Sequence, residues 1–171
     1  MSAAPDPRSE KIGDKQGATR LYAELARLIE RLHRRFLDVV RIELTRLGIE
    51  DISPVQALML MTISTEEISV RDLIERGYYL GSNASYNLKS LVEQGYVLRT
   101  QSQRDRRSAR LKLSAQGGKL HGELKKLELG HVEGLVRGDA DIQDLEATYR
   151  TLRRLERTWT DVIRYDGVDL D

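Results

Sequence analysis

Six basic side chains within one short stretch near the middle of the chain could bind a polyanion. Between Arg99 and Lys112 the bases are Arg99, Arg104, Arg106, Arg107, Arg110 and Lys112, against the single acid Asp105. The stretch carries +5 while the 171-residue chain carries +1, so the remaining residues together carry −4. A positive block on a mildly acidic body is typical of a surface that docks a polyanion, although a solvated basic loop would have the same charge.

The spacing of these residues predicts a β-hairpin with a basic tip. Tyr96 to Ser102 and Ala109 to Leu113 have strand character, with alternation at Val97/Arg99, Leu98/Thr100 and Leu111/Lys112/Leu113, which favours two short strands. The residues between them, 103–108, are all polar and include three arginines. One of those arginines could enter a minor groove of DNA, where the negative potential is focused.

A helix that displays hydrogen-bonding groups is predicted immediately before the hairpin, from Ser82 to Glu93. Its inward stripe is Ala84, Leu88, Leu91 and Val92, and its outward residues are Asn83, Ser85, Tyr86, Asn87 and Lys89. An α-helix fits the major groove of DNA, where asparagine can pair with adenine and lysine can reach guanine or phosphate. Each residue taken alone is more often a plain surface residue than a base reader, but the helix and basic hairpin together favour base reading.

Two further helices are predicted to position this pair. Ser53-Pro54-Val55-Gln56 has the residues of a capping box ahead of an apolar helix. Ser69 and Asp72 form a second capping pair for a short helix that ends near Gly77. Two short helices with a glycine-containing turn, followed by a basic hairpin, are the parts of a winged helix-turn-helix. We therefore predict a mainly α fold with a small β-hairpin wing.

Both ends of the chain are predicted to be long amphipathic helices that form a homodimer. Apolar residues, mostly leucines, recur at three- and four-residue steps from Leu21 to Leu47, and a similar stripe runs from Ile142 to Ile163. A domain of this size could not cover both stripes, although the helices could also pack within one chain. The predicted interface residues are Leu21, Leu25, Leu28, Leu152, Leu155 and Trp159.

These elements divide the chain into five segments. The prediction is a disordered arm over 1–17, a dimerisation helix over 18–50, a winged helix-turn-helix over 51–115, C-terminal dimerisation helices over 116–163 and an acidic tail over 164–171.

The sequence resembles the MarR (multiple antibiotic resistance regulator) family. The most specific match is the wing, where Asp105-Arg106-Arg107-Ser108 precedes Arg110-Leu111-Lys112-Leu113-Ser114 and Gly117. The family's wing-tip arginine matches Arg107 and its acid matches Asp105, which could orient a wing arginine. The segment 83–89 departs from the recognition helix of many members and looks like that of alphaproteobacterial envelope and stress regulators.

The resemblance implies a homodimer that binds a pseudo-palindromic operator in double-stranded DNA, with the first, fifth and sixth helices as its interface. The family's usual mode implies a repressor, modulated by a small amphipathic or aromatic effector. The residues predicted to line an effector crevice are Arg41, Thr45, Leu58 and Met61, although methionines are more often plain core.

Several other classes of function are disfavoured. There is no cysteine, and His33, His121 and His131 have no metal-ligand spacing, so we expect no metal site or cofactor. No phosphate-binding glycine loop or nucleophile motif is present, so we expect no enzyme. No apolar run could span a membrane or act as a signal peptide, which predicts a cytoplasmic protein. The remaining alternatives are a winged-helix protein-interaction module without DNA binding and an RNA-binding protein, the latter disfavoured by the groove geometry of RNA.

Overall fold

The computed structural model of the chain describes residues 7–64, 66–77, 81–101 and 109–165. The elements follow in the order α1 (Pro7–Arg46), α2 (Pro54–Ile63), β1 (Ile68–Ser69), α3 (Val70–Gly77), α4 (Gly81–Glu93), β2 (Val97–Gln101), β3 (Ala109–Leu113), α5 (Ala115–Leu135) and α6 (Asp139–Tyr165). The chain divides into two compact units, one up to Leu124 and one from Lys125. The fold is the predicted mainly α arrangement with a small sheet.

Helix α1 begins earlier than the sequence indicated. The predicted disordered arm over 1–17 is wrong from Pro7 onward, because the helix starts there. Proline is accepted in a first helical turn, and the glutamate, lysines and glutamine that follow are good helix formers. The helix ends in a Schellman motif, in which Gly48 has φ +69° and the Ile49 amide donates to the Leu44 carbonyl at 2.9 Å.

Helix α2 begins at the predicted capping box and lies inside the unit that ends at Leu124. The Gln56 amide donates to Ser53 Oγ at 3.2 Å, and the Ser53 amide donates to Gln56 Oε1 at 2.7 Å. Met59, Leu60 and Ile63 are completely buried. Because apolar residues occur almost all round this helix, it is covered on most sides, as its sequence predicted.

The two predicted wing strands pair as β2 and β3, and a third strand, β1, extends them into a three-stranded antiparallel sheet. Its order is β1-β3-β2, with Ile68 opposite Leu111 and Arg99 opposite Leu111 on the other side. Strand β1 was missed because it has only two residues, too few for an alternating pattern to be seen. Because β1 directly precedes α3 and pairs with β3, the sheet connects the helix-turn-helix to the wing.

The unit from Lys125 contains the end of α5 and all of α6. Helix α6 runs for 27 residues, and none of them is buried. Its apolar side chains instead lie at the surface, among them Ile142, Leu145, Tyr149, Val162 and Ile163. No helix among the described residues is long and apolar enough to cross a membrane.

Candidate nucleic-acid interface

Helix α4 presents a polar outer face on a well-anchored apolar stripe. Ala84, Leu88 and Leu91 are buried, so the helix cannot rotate without exposing them. The predicted DNA-binding residues Asn83, Ser85, Tyr86 and Lys89 are all exposed. The inward and outward faces therefore lie where the sequence pattern placed them.

The five predicted residues of α4 are not equally accessible. Tyr86 is 73% exposed, and Lys89 is similarly free of the core. Asn87 is half-buried and therefore less accessible than the other four, because it lies at the edge of the inward stripe. Of the two asparagines, Asn83 is thus the better placed to reach a base edge, and it lies near the N-terminus of the helix, where such contacts are usual.

Lys89 forms a surface ion pair that DNA could easily replace. Its Nζ lies 3.7 Å from Glu93 Oε1, and the two side chains are 75% and 64% exposed. Exposed pairs of this kind contribute little, about 0–1 kcal/mol, so the ammonium can exchange this carboxylate for a phosphate or a guanine at small cost. Glu93, which we did not predict as a site residue, adds a negative charge to the same face.

The wing strands add basic side chains that the site prediction missed. In the β2–β3 register Lys112 lies opposite Leu98, and Arg110 lies opposite Thr100. Residues paired across a ladder point to the same face, and Leu111 between them is fully buried, so Arg110 and Lys112 lie on the outer face. The alternation of Arg110, Leu111, Lys112 and Leu113 could have placed them there from sequence.

The tip of the wing lies outside the described residues. Arg104, Asp105, Arg106 and Arg107 all fall in 102–108, so their DNA-binding roles remain predictions. The strands that carry the tip are described on both sides, from Val97–Gln101 and Ala109–Leu113.

Helix α3 is fixed by the predicted capping pair. The Asp72 amide donates to Ser69 Oγ at 3.0 Å, and the Ser69 amide lies 3.3 Å from Asp72 Oδ2. Arg71, in the first turn, is exposed and donates through Nε to Glu75 at 2.8 Å. A basic residue on the first helix of a helix-turn-helix is suitably placed for a phosphate, since that helix crosses the DNA backbone.

The residues predicted to line an effector crevice lie partly at the surface and partly against the core, and their effector role remains a prediction. Arg41 donates to Asp38 and Thr45 donates to the Arg41 carbonyl, both at the surface, while Leu58 and Met61 are half-buried against the core. A cavity of about 420 Å³ lies elsewhere in the same unit. Its lining is Arg46, Leu47, Ile49, Tyr96, Gln116, Lys119, Leu120 and Glu123.

The residues predicted for a dimer interface retain exposed apolar surface. Leu21 is 67% exposed and Leu28 is 40% exposed, and Leu25 is half-buried. In the other unit Trp159 is exposed, and Leu152 and Leu155 are half-buried.

Among the described ranges no cluster of three or more histidine or acidic side chains could hold a metal ion.

Comparison with known proteins places these features in one family. A sequence model described as "MarR family" matches residues 50–108. A curated protein of Rhizobium meliloti (strain 1021), the exopolysaccharide II synthesis transcriptional activator ExpG, is 46% identical over 159 residues, which are 93% of this chain and 81% of that protein.

Solved structures share the fold at lower sequence identity. A MarR transcriptional regulator from Methanosarcina mazei Go1 superposes with a TM-score of 0.69 at 20% identity, over 80% of this chain and 99% of that one. A mutant of MarR from E. coli, complexed with operator DNA, superposes with a TM-score of 0.60 at 21% identity, over 75% and 93% of the two chains.

Proposed function

This chain belongs to the MarR family of transcriptional regulators, and from that membership we propose that it binds double-stranded DNA sequence-specifically as a homodimer. Members of the family are regulators and not enzymes, in agreement with the sequence prediction. The bound DNA would be a pseudo-palindromic operator, since a twofold protein reads two half-sites about one helical turn apart. DNA binding agrees with the predicted cytoplasmic location, where the bacterial chromosome lies.

The observation that carries this proposal is the outer face of α4. A helix whose exposed residues include an asparagine, a serine, a tyrosine and a lysine, next to a sheet with Arg110 and Lys112 on its outer face, can combine base contacts with phosphate contacts. The protein-interaction alternative gives no reason for basic residues to gather on these two elements.

The homodimer is supported by the apolar side chains that one chain leaves uncovered. The α1 stripe is exposed at Leu21, Leu28 and Leu32 but buried at Val40 and Leu44, where α2 covers it. The uncovered N-terminal part and the stripe on α6 are surfaces that a second copy would bury. A permanent dimer of this kind would bury more than about 2,000 Å² in total.

The direction of regulation is open to two readings. The family's usual mode predicted repression, whereas the 46%-identical relative is named an activator. Because that relative matches nearly the whole chain, we favour activation for this protein. A promoter–reporter fusion in a strain with and without the gene separates the two: activation lowers reporter output when the gene is deleted, and repression raises it.

We also propose that a small amphipathic or aromatic effector modulates DNA binding by favouring one spacing of the two reading heads. There are two separate candidate locations for the effector: the cavity beside Tyr96, and the surface near the four predicted residues Arg41, Thr45, Leu58 and Met61. Bulky substitutions at Leu120 and at Met61 would each block one of them, so effector titration calorimetry on the two variants identifies the site.

The decisive experiment is selection of duplexes from a random library by the wild-type protein, followed by titration at several salt concentrations. Sequence-specific binding with an affinity that falls steeply with salt supports the proposal, because neutralised phosphates release counterions. No enrichment and no salt dependence would favour the protein-interaction module.

Arg107→Ala and Lys89→Ala assign the two reading elements in the same assay. Arg107→Ala should weaken binding by about 1–3 kcal/mol if the arginine contacts a groove, and substitution of Asn83 or Lys89 should change which sequence is selected. Arg20→Ala, on α1, is the control for loss of one positive charge.

A further inference from the structure

Tyr96 occupies the junction between the reading helix and the wing. Helix α4 ends at Glu93 and strand β2 begins at Val97, so three residues connect them. The Tyr96 amide donates to the Leu91 carbonyl at 2.9 Å, and the Gly95 amide donates to the Val92 carbonyl at 3.1 Å, with φ of Gly95 at +78°. This is a Schellman motif, and it fixes the direction in which the chain leaves α4.

The backbone of Tyr96 is also attached to the start of α5. Its carbonyl accepts a hydrogen bond from the Ser114 amide at 3.0 Å, and Ser114 Oγ in turn caps α5 by accepting from the Gly117 amide at 3.0 Å. A Cβ on Gly117 would lie 2.1 Å from the Tyr96 carbonyl oxygen. Three elements, α4, β2 and α5, therefore meet at this one residue.

The side chain of Tyr96 reaches a fourth element. The residue is 3% exposed, and its hydroxyl donates to Asp51 Oδ1 at 3.0 Å. Asp51 lies in the connection between α1 and α2, 45 residues earlier in the chain. Burial raises the pKa of Tyr96, with Gln116 acting against this and Asp51 adding to it, so the phenol keeps its proton at neutral pH and remains a donor.

We propose that Tyr96 is a positioning residue for DNA recognition, and that its hydrogen bond to Asp51 sets the orientation of α4 and the wing relative to the end of α1. The inference rests on the proposed function, because it concerns how the DNA-reading parts are held. Since α1 also carries the stripe proposed for the dimer, the bond links the dimer helix to the reading elements. Loss of the bond lets these elements take several orientations, of which few match an operator.

The test compares Tyr96→Phe, Asp51→Ala and the double variant, using the duplex selected by the wild-type protein and a scrambled duplex of equal length; alanine is used at Asp51 because asparagine would keep an oxygen that accepts the bond. Each single variant should lower affinity for the selected duplex about two- to tenfold, the range expected for one hydrogen bond. The double variant should lose no more than either single one, because all three lack the same bond. Affinity for the scrambled duplex should not change.

Glu50→Ala is the matched control. Glu50 is exposed and adjacent to Asp51, so its substitution removes the same charge without touching the bond. This variant should leave both affinities at the wild-type value. Thermal unfolding of each variant checks that it is folded at the temperature of the assay, and Asp51→Ala, a substitution of an exposed residue, still removes the bond if Tyr96→Phe folds poorly.

Different results have different meanings. If the wild-type protein selects no duplex, the proposed function fails. If it selects one and both single variants bind that duplex as Glu50→Ala does, the hydrogen bond is merely structural and the inference is overturned. Additive losses in the double variant would also overturn it, since the two residues would then act separately.

Discussion

Helices α2 and α6 bury their apolar side chains to opposite extents. Of the 10 residues of α2, the buried ones are Gln56, Ala57, Met59, Leu60 and Ile63, whereas none of the 27 residues of α6 is buried. Both helices are nevertheless marked as helices by their sequences. The difference shows that α2 is completed by its own chain, while α6 carries an apolar stripe with no cover inside its unit.

Helix α1 contains both covered and uncovered apolar surface. Its stripe is exposed at Leu21, Leu28 and Leu32 and then buried at Val40 and Leu44. A helix in water obtains most of its stability from packing of its apolar face, so the uncovered stripe is the surface that the proposed second copy would bury. The contrast between covered and uncovered apolar surface leads to predictions that differ between the regions.

The largest effect is expected on the uncovered side. Leu155→Asp should raise the dimer dissociation constant about 100-fold or more, because it places an unpaired charge in an apolar interface. Sedimentation velocity over a range of protein concentrations measures the change. In this variant the unit that ends at Leu124 should keep its fold, because Leu155 lies outside it.

Arg157→Asp serves as the control for this substitution. Arg157 is exposed on the face of α6 opposite Leu155, so the same acidic side chain should leave the dimer intact. If Leu155→Asp remains a dimer at micromolar concentration, the interface does not include this part of α6.

The second prediction concerns the covered side. Leu60→Ala should lower the free energy of unfolding by about 2–5 kcal/mol, because Leu60 is fully buried in α2 and truncation leaves a cavity. Urea unfolding followed by circular dichroism measures it. Ile142→Ala, on the exposed stripe of α6, should cost much less in protein held monomeric by Leu155→Asp; equal costs would remove the contrast between the two regions.

Local patterns were enough to predict most of the reading domain. The capping boxes at Ser53 and Ser69 and the inward stripe of α4 depend on residues three or four apart, and all of them are present in the structure. Strand β1 could not be predicted in this way, because its two residues are held by pairing with Leu111 and Arg110, more than forty residues later.

In the candidate site, too, features within one element could be predicted from sequence and contacts between distant residues could not. The outward residues of α4 followed from helical periodicity, whereas the bond between Tyr96 and Asp51 joins residues that no local pattern relates. The cavity beside Tyr96 is likewise lined by residues far apart in the chain, among them Arg46 and Glu123, so no local pattern could predict it.

The third prediction separates two neighbouring glycines at the edge of the covered region. Gly117→Ala should destabilise the protein by about 1–3 kcal/mol, because its Cβ would lie 2.1 Å from the Tyr96 carbonyl oxygen and the backbone must shift. Gly118→Ala has no atom within 4 Å of its Cβ and should stabilise α5 by about 0.5–1 kcal/mol. Urea unfolding of both variants measures the difference; the same sign for both would contradict the close approach.

The smallest effect is expected where α1 passes from uncovered to covered. Arg46 donates to both carboxylate oxygens of Glu43, at 2.8 and 2.6 Å, and this hydrogen bonding lowers the pKa of Glu43 against the opposing effect of burial. A carboxylate whose pKa is lower in the folded state stabilises the fold above its ordinary pKa, and this contribution is lost as the pH falls through the folded value. The urea midpoint should therefore fall with acidification less steeply in Glu43→Gln than in the wild-type protein. A Glu43→Gln slope equal to that of the wild-type protein would contradict this prediction, and Glu30→Gln, which removes the exposed partner of Arg34, controls for loss of one carboxylate from the same helix.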